Sequence, residues 1–216
     1  MLVKDRMTAN PVTITKQTTV ATALELMQTN NFRRLPVMDG DKLIGIVTDR
    51  DLSKLSPSPA TTLSAFEANY LLAKTTIAEA LSKNHKLITI SPEAYIEEAA
   101  LLMRDNNIGG IPVVDEGKLV GIITETNIFD AFVDIMGLRQ SGYRITVIIE
   151  SDRSGVLAEL ADAITSNEGN ITHVLTYYGT SDEVHIVFRL NQGNIEHIMA
   201  TITELGYKAE YTETNQ

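Results

Sequence analysis

The chain has 216 residues, 44% of them hydrophobic and 21% charged, with no cysteine and a formal net charge of −10. That length suits two or three compact units; the composition excludes fibrous and disordered classes, and the missing thiols exclude disulfides, thiolate metal sites and cysteine nucleophiles. The acidic balance argues against a nucleic-acid partner, because phosphate binding rests on clustered Lys and Arg.

The N-terminal stretch MLVKDRMTANP lacks the apolar core of a signal peptide, and no run approaches the ~20 apolar residues of a membrane span. No membrane partner and a cytoplasmic location are therefore expected. A short strand is predicted at Val12 to Ile14, then a helix with Val20, Leu24 and Met27 at helical spacing, reaching toward Phe32. Strands at Leu35 to Val37 and Leu43 to Val47 flank the turn Asp39-Gly40-Asp41, and a second helix follows Thr48. SPSPATT, residues 56–62, is a loop by composition, and Leu63 to Lys74 reads as an inserted helix, with Leu63, Phe66, Tyr70 and Leu71 on one stripe.

The first pattern then returns. Residues 12–52 laid on 88–128 without a gap give 15 identities in 41 positions, among them Asn30-Asn31 with Asn106-Asn107, Pro36-Val37 with Pro112-Val113 and Thr48 with Thr124. Two copies of β-α-β-β-α predict a pseudo-twofold pair rather than a solenoid. After an interruption near GLRQSGY, residues 137–143, the order changes to strand 145–149, helix 156–167, strand 171–177, turn GTSD, strand 184–190, helix 194–205 and strand 207–211. That βαββαβ order is the ferredoxin-like arrangement. The fold class is α/β (α+β), with domains expected at 1–57, 77–137 and 144–216, an inserted helix at 58–76 and a linker at 138–143.

Chemistry concentrates where GIVTDRD (45–51) and GIITETN (121–127) pass from strand to helix. Thr48 can cap its helix, whose exposed N–H groups attract phosphate, and Asp51 lies one turn further along, a carboxylate suited to the vicinal hydroxyls of a ribose. Thr and Asp also stabilise helix starts anywhere, so capping alone is the competing account. His173 and His185, without a third ligand, read as solvated strand histidines rather than a metal pair.

The duplication, the [LI]PV strand, the turn aspartates Asp39 and Asp115, and the G-h-h-T runs together resemble a tandem pair of CBS domains over about residues 1–137. The resemblance implies a central cleft for an adenosine-containing ligand: AMP, ADP, ATP or S-adenosylmethionine. On matching positions it implies Thr48 at phosphate, Asp51 at ribose, Thr13 and Arg34 beside the base, and Arg50, with Arg33 or Arg34, adding charge-assisted phosphate bonds. Thr89, Thr124 and Asn127 are the second copy's counterparts. There Asn127 replaces the carboxylate, Thr126 replaces Arg50, and Gly109-Gly110 replace Arg33-Arg34. Losing a charge-assisted hydrogen bond removes ~1.5–3 kcal/mol, ten- to hundredfold in affinity, so the first pocket is expected to be the better one.

Residues 151–174, SDRSGVLAELADAITSNEGNITHV, resemble an ACT domain, which implies a small effector at Asp152, Ser154, Gly155 and Leu157, or a purely dimerising sheet. Ser154 stands where many members carry proline, so the turn is less rigid. A CBS pair followed by an ACT domain is similar to the bacterial acetoin-utilization protein B family. That similarity implies a non-catalytic homodimeric regulator that binds adenine nucleotide, acts on a protein partner and is tied to acetoin or acetate metabolism. Two other readings stand beside it: a dimerisation module with vestigial pockets, and an enzyme acting on a nucleotide or small metabolite.

Overall fold

The computed structural model describes residues 1–55, 64–81, 87–151, 153–179 and 183–214, without the side chains of residues 65, 66, 68 and 69. The SPSPATT loop, Leu63, Asp152 and the last three residues of the GTSD turn lie outside the described residues. Packing divides the chain into two units, residues 1–128 and 129–216.

The first unit opens with a short 3-10 turn at Val3–Asp5 and β1 (Thr8–Ala9), then β2 (Ile14–Thr15), α1 (Val20–Asn30), β3 (Arg34–Asp39), β4 (Lys42–Thr48) and α2 (Asp49–Ser53). α3 (Ala65–Lys74) and α4 (Ile77–Ala80) lead to α5 (Ile96–Asn106), β5 (Gly110–Asp115), β6 (Lys118–Thr124) and the start of α6 (Glu125–Ile135). The duplication is kept residue for residue. α1 buries Val20, Ala23 and Met27, and α5 buries Ile96, Ala99 and Met103, the same i, i+3, i+7 stripe. Each helix stops at an asparagine in the left-handed region, Asn31 at φ 55° and Asn107 at φ 52°. The preceding Asn30 and Asn106 donate from Nδ2 to the carbonyls of Leu26 and Leu102 at 2.9 and 2.8 Å. The repeated Asn-Asn is thus a helix stop. Hairpin β3–β4 begins with Arg34 opposite Thr48 and slips between Val37 and Met38; hairpin β5–β6 begins with Gly110 opposite Thr124 and slips between Val113 and Val114.

Three expectations are corrected here. The strand expected at Val12 to Ile14 contracts to β2, and its counterpart to a single bridge between Ile90 and Val113. Residues 1–9, which sequence order groups with the first copy, instead join the second: β1 pairs antiparallel with β6, Thr8 opposite Ile122. The exchange is reciprocal, because Val20 N–H donates to Thr75 O and Ile77 N–H to Thr18 O, both at 2.9 Å, tying the segment before the second copy to the first. The inserted helix starts from the Ser64 cap and lies against α1, but Leu72 joins the first repeat's core while Tyr70 and Leu71 are exposed.

The second unit contains the end of α6, then β7 (Gly142–Ile149), α7 (Val156–Thr165), β8 (Asn170–Tyr178), β9 (Val184–Gln192), α8 (Ile195–Glu204) and β10 (Lys208–Thr214). The sheet runs β10-β7-β9-β8 and is antiparallel throughout. Strand alternation sends Ile145, Val147, Ile149, Ile186, Phe188 and Leu190 into one core with Leu160, Ile164, Ile198 and Ile202 of the two helices. The division falls inside α6, earlier than the 138–143 linker: Arg139 pairs with Asp130 at 3.1 Å, and Gly137 abuts His173. No helix among the described residues is long and apolar enough to cross a membrane.

Candidate functional site

A cleft of about 710 Å³ lies within the first unit, walled by both repeats, a volume typical of small-molecule sites. The β4–α2 junction, residues 44–51, supplies one side, and Asn106 to Gly110, Pro112 and Glu125 supply the other. Leu81, Leu87 and Ile88 add an apolar wall. The glycine of GIVT helps the wall close: a Cβ on Gly45 would stand 2.7 Å from Leu81 Cδ2, so the missing side chain leaves room for that leucine against β4. Gly121 does the same for Met7 of the N-terminal segment.

Thr48 and Asp51 form a reciprocal helix cap. Thr48 N–H and Oγ1–H both donate to Asp51 Oδ2, at 3.1 and 2.7 Å, and Asp51 N–H donates to Thr48 Oγ1 at 3.2 Å. The capping account is therefore true, but it uses only half of the carboxylate. Asp51 Oδ1 is left with a loose ion pair, Lys54 Nζ at 3.8 Å, and Asp51 is among the residues that line the cleft. The hydroxyl proton of Thr48 is directed to Asp51, so charge for a phosphate falls to the exposed Arg33 and Arg50, which line the same cleft.

The second copy repeats the cap with different chemistry left over. Thr124 N–H and Oγ1–H donate to Asn127 Oδ1 at 2.9 and 2.7 Å. Because both partners donate, the oxygen must face them, and the free end of Asn127 is an NH₂ donor where Asp51 offers an acceptor. Aspartate and asparagine are equivalent as caps and opposite toward a hydroxyl.

Arg34 is half-buried at the start of β3, and burial lowers its pKa, opposed by Glu125 and Asp49 and reinforced by Arg33. Its guanidinium fills the space above two glycines of the other repeat. A Cβ on Gly109 would lie 2.8 Å from Arg34 Nη2 and 2.6 Å from Glu125 Oε2, and one on Gly110 would meet Arg34 Nη1. Gly109-Gly110 are therefore more than lost arginines; they seat the arginine of the first copy.

Of the sequence-predicted residues, Arg34, Thr48, Arg50 and Asp51 line this cleft, whereas Thr13 and Thr89 are exposed and outside its lining, and Thr124 and Asn127 are half-buried and also outside it. Leu81, Leu87, Ile88, Asn106, Asn107 and Glu125 were missed, since no local motif says that the second repeat and its approach close the first repeat's pocket. A glycine in the middle of a strand was the available signal. In the second unit, Gly155 takes φ 94° at the start of α7, and with Leu157 and Arg153 it lines a cavity of about 570 Å³; Ser154 is exposed and outside that lining. The histidine expectation is corrected for His185, which is not solvated: its side chain is 15% exposed, stacked on Tyr177 at 4.8 Å between ring centroids, with Nε2 3.3 Å from Glu183 Oε1. His173 and His185 stay apart, three rows of the sheet lying between them, and among the described residues no cluster of three metal-ligating side chains occurs.

The CBS domain family profile matches residues 3–58 and 77–134. A CBS domain-containing protein of Dictyostelium discoideum is 35% identical over 138 residues, 63% of this chain and 94% of its own length. The CBS domain-containing protein YhcV of Bacillus subtilis is 30% identical over 146 residues, 68% of this chain and 94% of its own. Among solved structures, a Vibrio cholerae protein described as an acetoin utilization protein superposes with a TM-score of 0.52 at 30% identity, covering 64% of this chain and 95% of its own. The CBS domain pair of MJ0100, in complex with 5′-methylthioadenosine and S-adenosyl-L-methionine, and CBSX2, in complex with AMP, each give 0.50 at 31% and 30% identity, each covering 62% of this chain and 97% of theirs.

Proposed function

Because this chain belongs to the CBS domain family, we propose that its first unit is a non-catalytic sensor of an adenosine-containing ligand, an AMP-, ADP- or ATP-type nucleotide or S-adenosylmethionine. The ligand sits in the cleft at the β4–α2 junction. Its ribose hydroxyls donate to Asp51 Oδ1, its phosphate meets Arg33 and Arg50, and its base lies against Leu81, Leu87 and Ile88. The observation that carries this is the half-used carboxylate of a cleft-lining residue: Asp51 satisfies the helix cap with Oδ2, while Oδ1 has only Lys54 Nζ at 3.8 Å. Titration calorimetry with AMP, ATP and S-adenosylmethionine tests it. Saturable binding of one ligand per chain is expected, with ATP recovered intact afterward; no heat with any of the three would leave the cleft vestigial, and consumed ATP would make the chain an enzyme.

The βαββαβ order and the β10-β7-β9-β8 sheet support reading residues 142–214 as a ferredoxin-like domain of ACT type. Its effector site is the cavity at Gly155 and Leu157, where the glycine leaves space at the helix start and Arg153 offers positive charge to a carboxylate. A thermal-shift screen of free amino acids tests this. The likeness to the Vibrio cholerae protein supports a role in acetoin or acetate metabolism, exerted on a protein partner whose affinity changes with ligand occupancy. A homodimer belongs to the same proposal, and sedimentation velocity reads it directly.

A further inference from the structure

From Arg144 to the C-terminus the chain carries 11 acidic and only 4 basic residues. Two of the four are spoken for: Arg153 pairs with Glu159 at 2.7 Å, and Lys208 with Glu150 at 2.6 Å. The other two, Arg144 on β7 and Arg189 on β9, are direct cross-strand partners. Like charges opposite one another on a sheet repel, and with acids nearly three times as abundant this placement is not what charge balance alone would give.

Arg189 is also buried, only 7% exposed, and its Nε has no hydrogen-bond partner among the described residues. Burial lowers its pKa and Arg144 lowers it further, but a guanidinium does not shed its proton, so the cost of burying the charge is not escaped by neutralisation. Buried charges are ordinarily met by a counter-charge. No carboxylate plays that part among the described residues. Glu210, opposite Thr146 on the edge strand, is the nearest ladder acid on the arginines' own side of the sheet; it is exposed and pairs with neither arginine.

The surroundings form a row across all four strands: Thr212, Arg144, Arg189 and His173 are successive cross-strand partners. Their neighbours Ile145 and Phe188 fill the core beneath α7 and α8, so the row faces the other side of the sheet. Arg144 spends one donor on Thr146 Oγ1 at 2.6 Å, and Thr146 is itself only 2% exposed. Gly137 roofs the end of the row, its α-carbon so placed that a Cβ would stand 2.5 Å from His173 Nδ1.

We propose that Arg144 and Arg189 together bind a compact oxyanion, a carboxylate or a phosphate group, on the face of the sheet opposite α7 and α8. This site is distinct from the cavity at Gly155, which lies on the helix side, and from the nucleotide cleft. Two guanidinium groups side by side present several parallel donors, the arrangement that carboxylate and phosphate oxygens match. Scanning fluorimetry of the full chain tests it, with sodium phosphate or sodium acetate set against sodium chloride at equal ionic strength. At least one of the two oxyanions raises the melting temperature progressively with the logarithm of its concentration, and the one that does so names the ligand class. Arg189→Met abolishes that rise, whereas Arg50→Gln, in the nucleotide cleft, keeps it. Should Arg189→Met fail to fold, Arg144→Gln serves, with the same loss expected. The site is refuted if neither oxyanion exceeds chloride, if both arginine variants still respond, or if Arg50→Gln removes the response.

Discussion

Replacing Asp51 by asparagine separates two roles that an alanine substitution would merge. Asparagine keeps an oxygen for the cap, as Asn127 does when it accepts from Thr124 N–H and Oγ1–H at 2.9 and 2.7 Å. The stability cost of Asp51→Asn is then the lost carboxylate at a helix start, about 0.3–1 kcal/mol. Asp51→Ala removes the whole cap and costs about 0.5–2 kcal/mol. Toward ligand the ordering differs, because asparagine turns the free acceptor into a donor while alanine leaves nothing. Both variants should lose a charge-assisted hydrogen bond of about 1.5–3 kcal/mol, which is roughly ten- to hundredfold or slightly more in dissociation constant. Calorimetric titration with AMP measures the affinity, and urea denaturation measures the stability. A dissociation constant for Asp51→Asn within threefold of wild type, or a stability as low as that of Asp51→Ala, would refute the division of the carboxylate into a capping oxygen and a binding oxygen.

Contacts elsewhere set other outcomes. Gly110→Ala drives a methyl into the Arg34 guanidinium and should cost about 1–3 kcal/mol in urea denaturation, with Arg34→Ala in the same background recovering most of it in a double-mutant cycle. Gly142→Ala combines φ 135° with a Cβ placed on the backbone carbonyl of Leu190, which cannot swing away; a loss of about 3 kcal/mol or more is expected by the same measurement. Phe188→Ala empties the largest fully buried side chain of the second unit's core and should cost about 3–5 kcal/mol. The Tyr207 hydroxyl, donating at 2.6 Å, and Arg153 hold the Glu159 carboxyl below its ordinary pKa. Its stabilisation is thus complete above the unfolded carboxylate value of about 4.3 and fades as pH falls through the lower folded value. Glu159→Gln should flatten the acid limb of the melting-temperature profile below that value, and an unchanged slope would count against the pairing.

Local sequence determined the elements because their causes are local. A 3.6-residue stripe placed α1 and α5, strand alternation placed β7 and β9, and the repeated Asn-Asn, Pro-Val and Gly-hydrophobic-hydrophobic-Thr runs announced two copies of one unit. The same locality made Thr48 and Asp51 legible, since their contact spans three residues. Tertiary structure decided the rest. Which copy the first nine residues would join, that Leu72 of α3 would enter the first repeat's core, and that Leu87 and Asn106 would close a cleft begun at Thr48 all depend on edges and surfaces remote in sequence. So does the opposition of Arg144 to Arg189, residues 45 positions apart. Backbone hydrogen bonds on an open strand edge carry little side-chain information, and a glycine records that something approaches without recording what; only the folded chain supplies the partner.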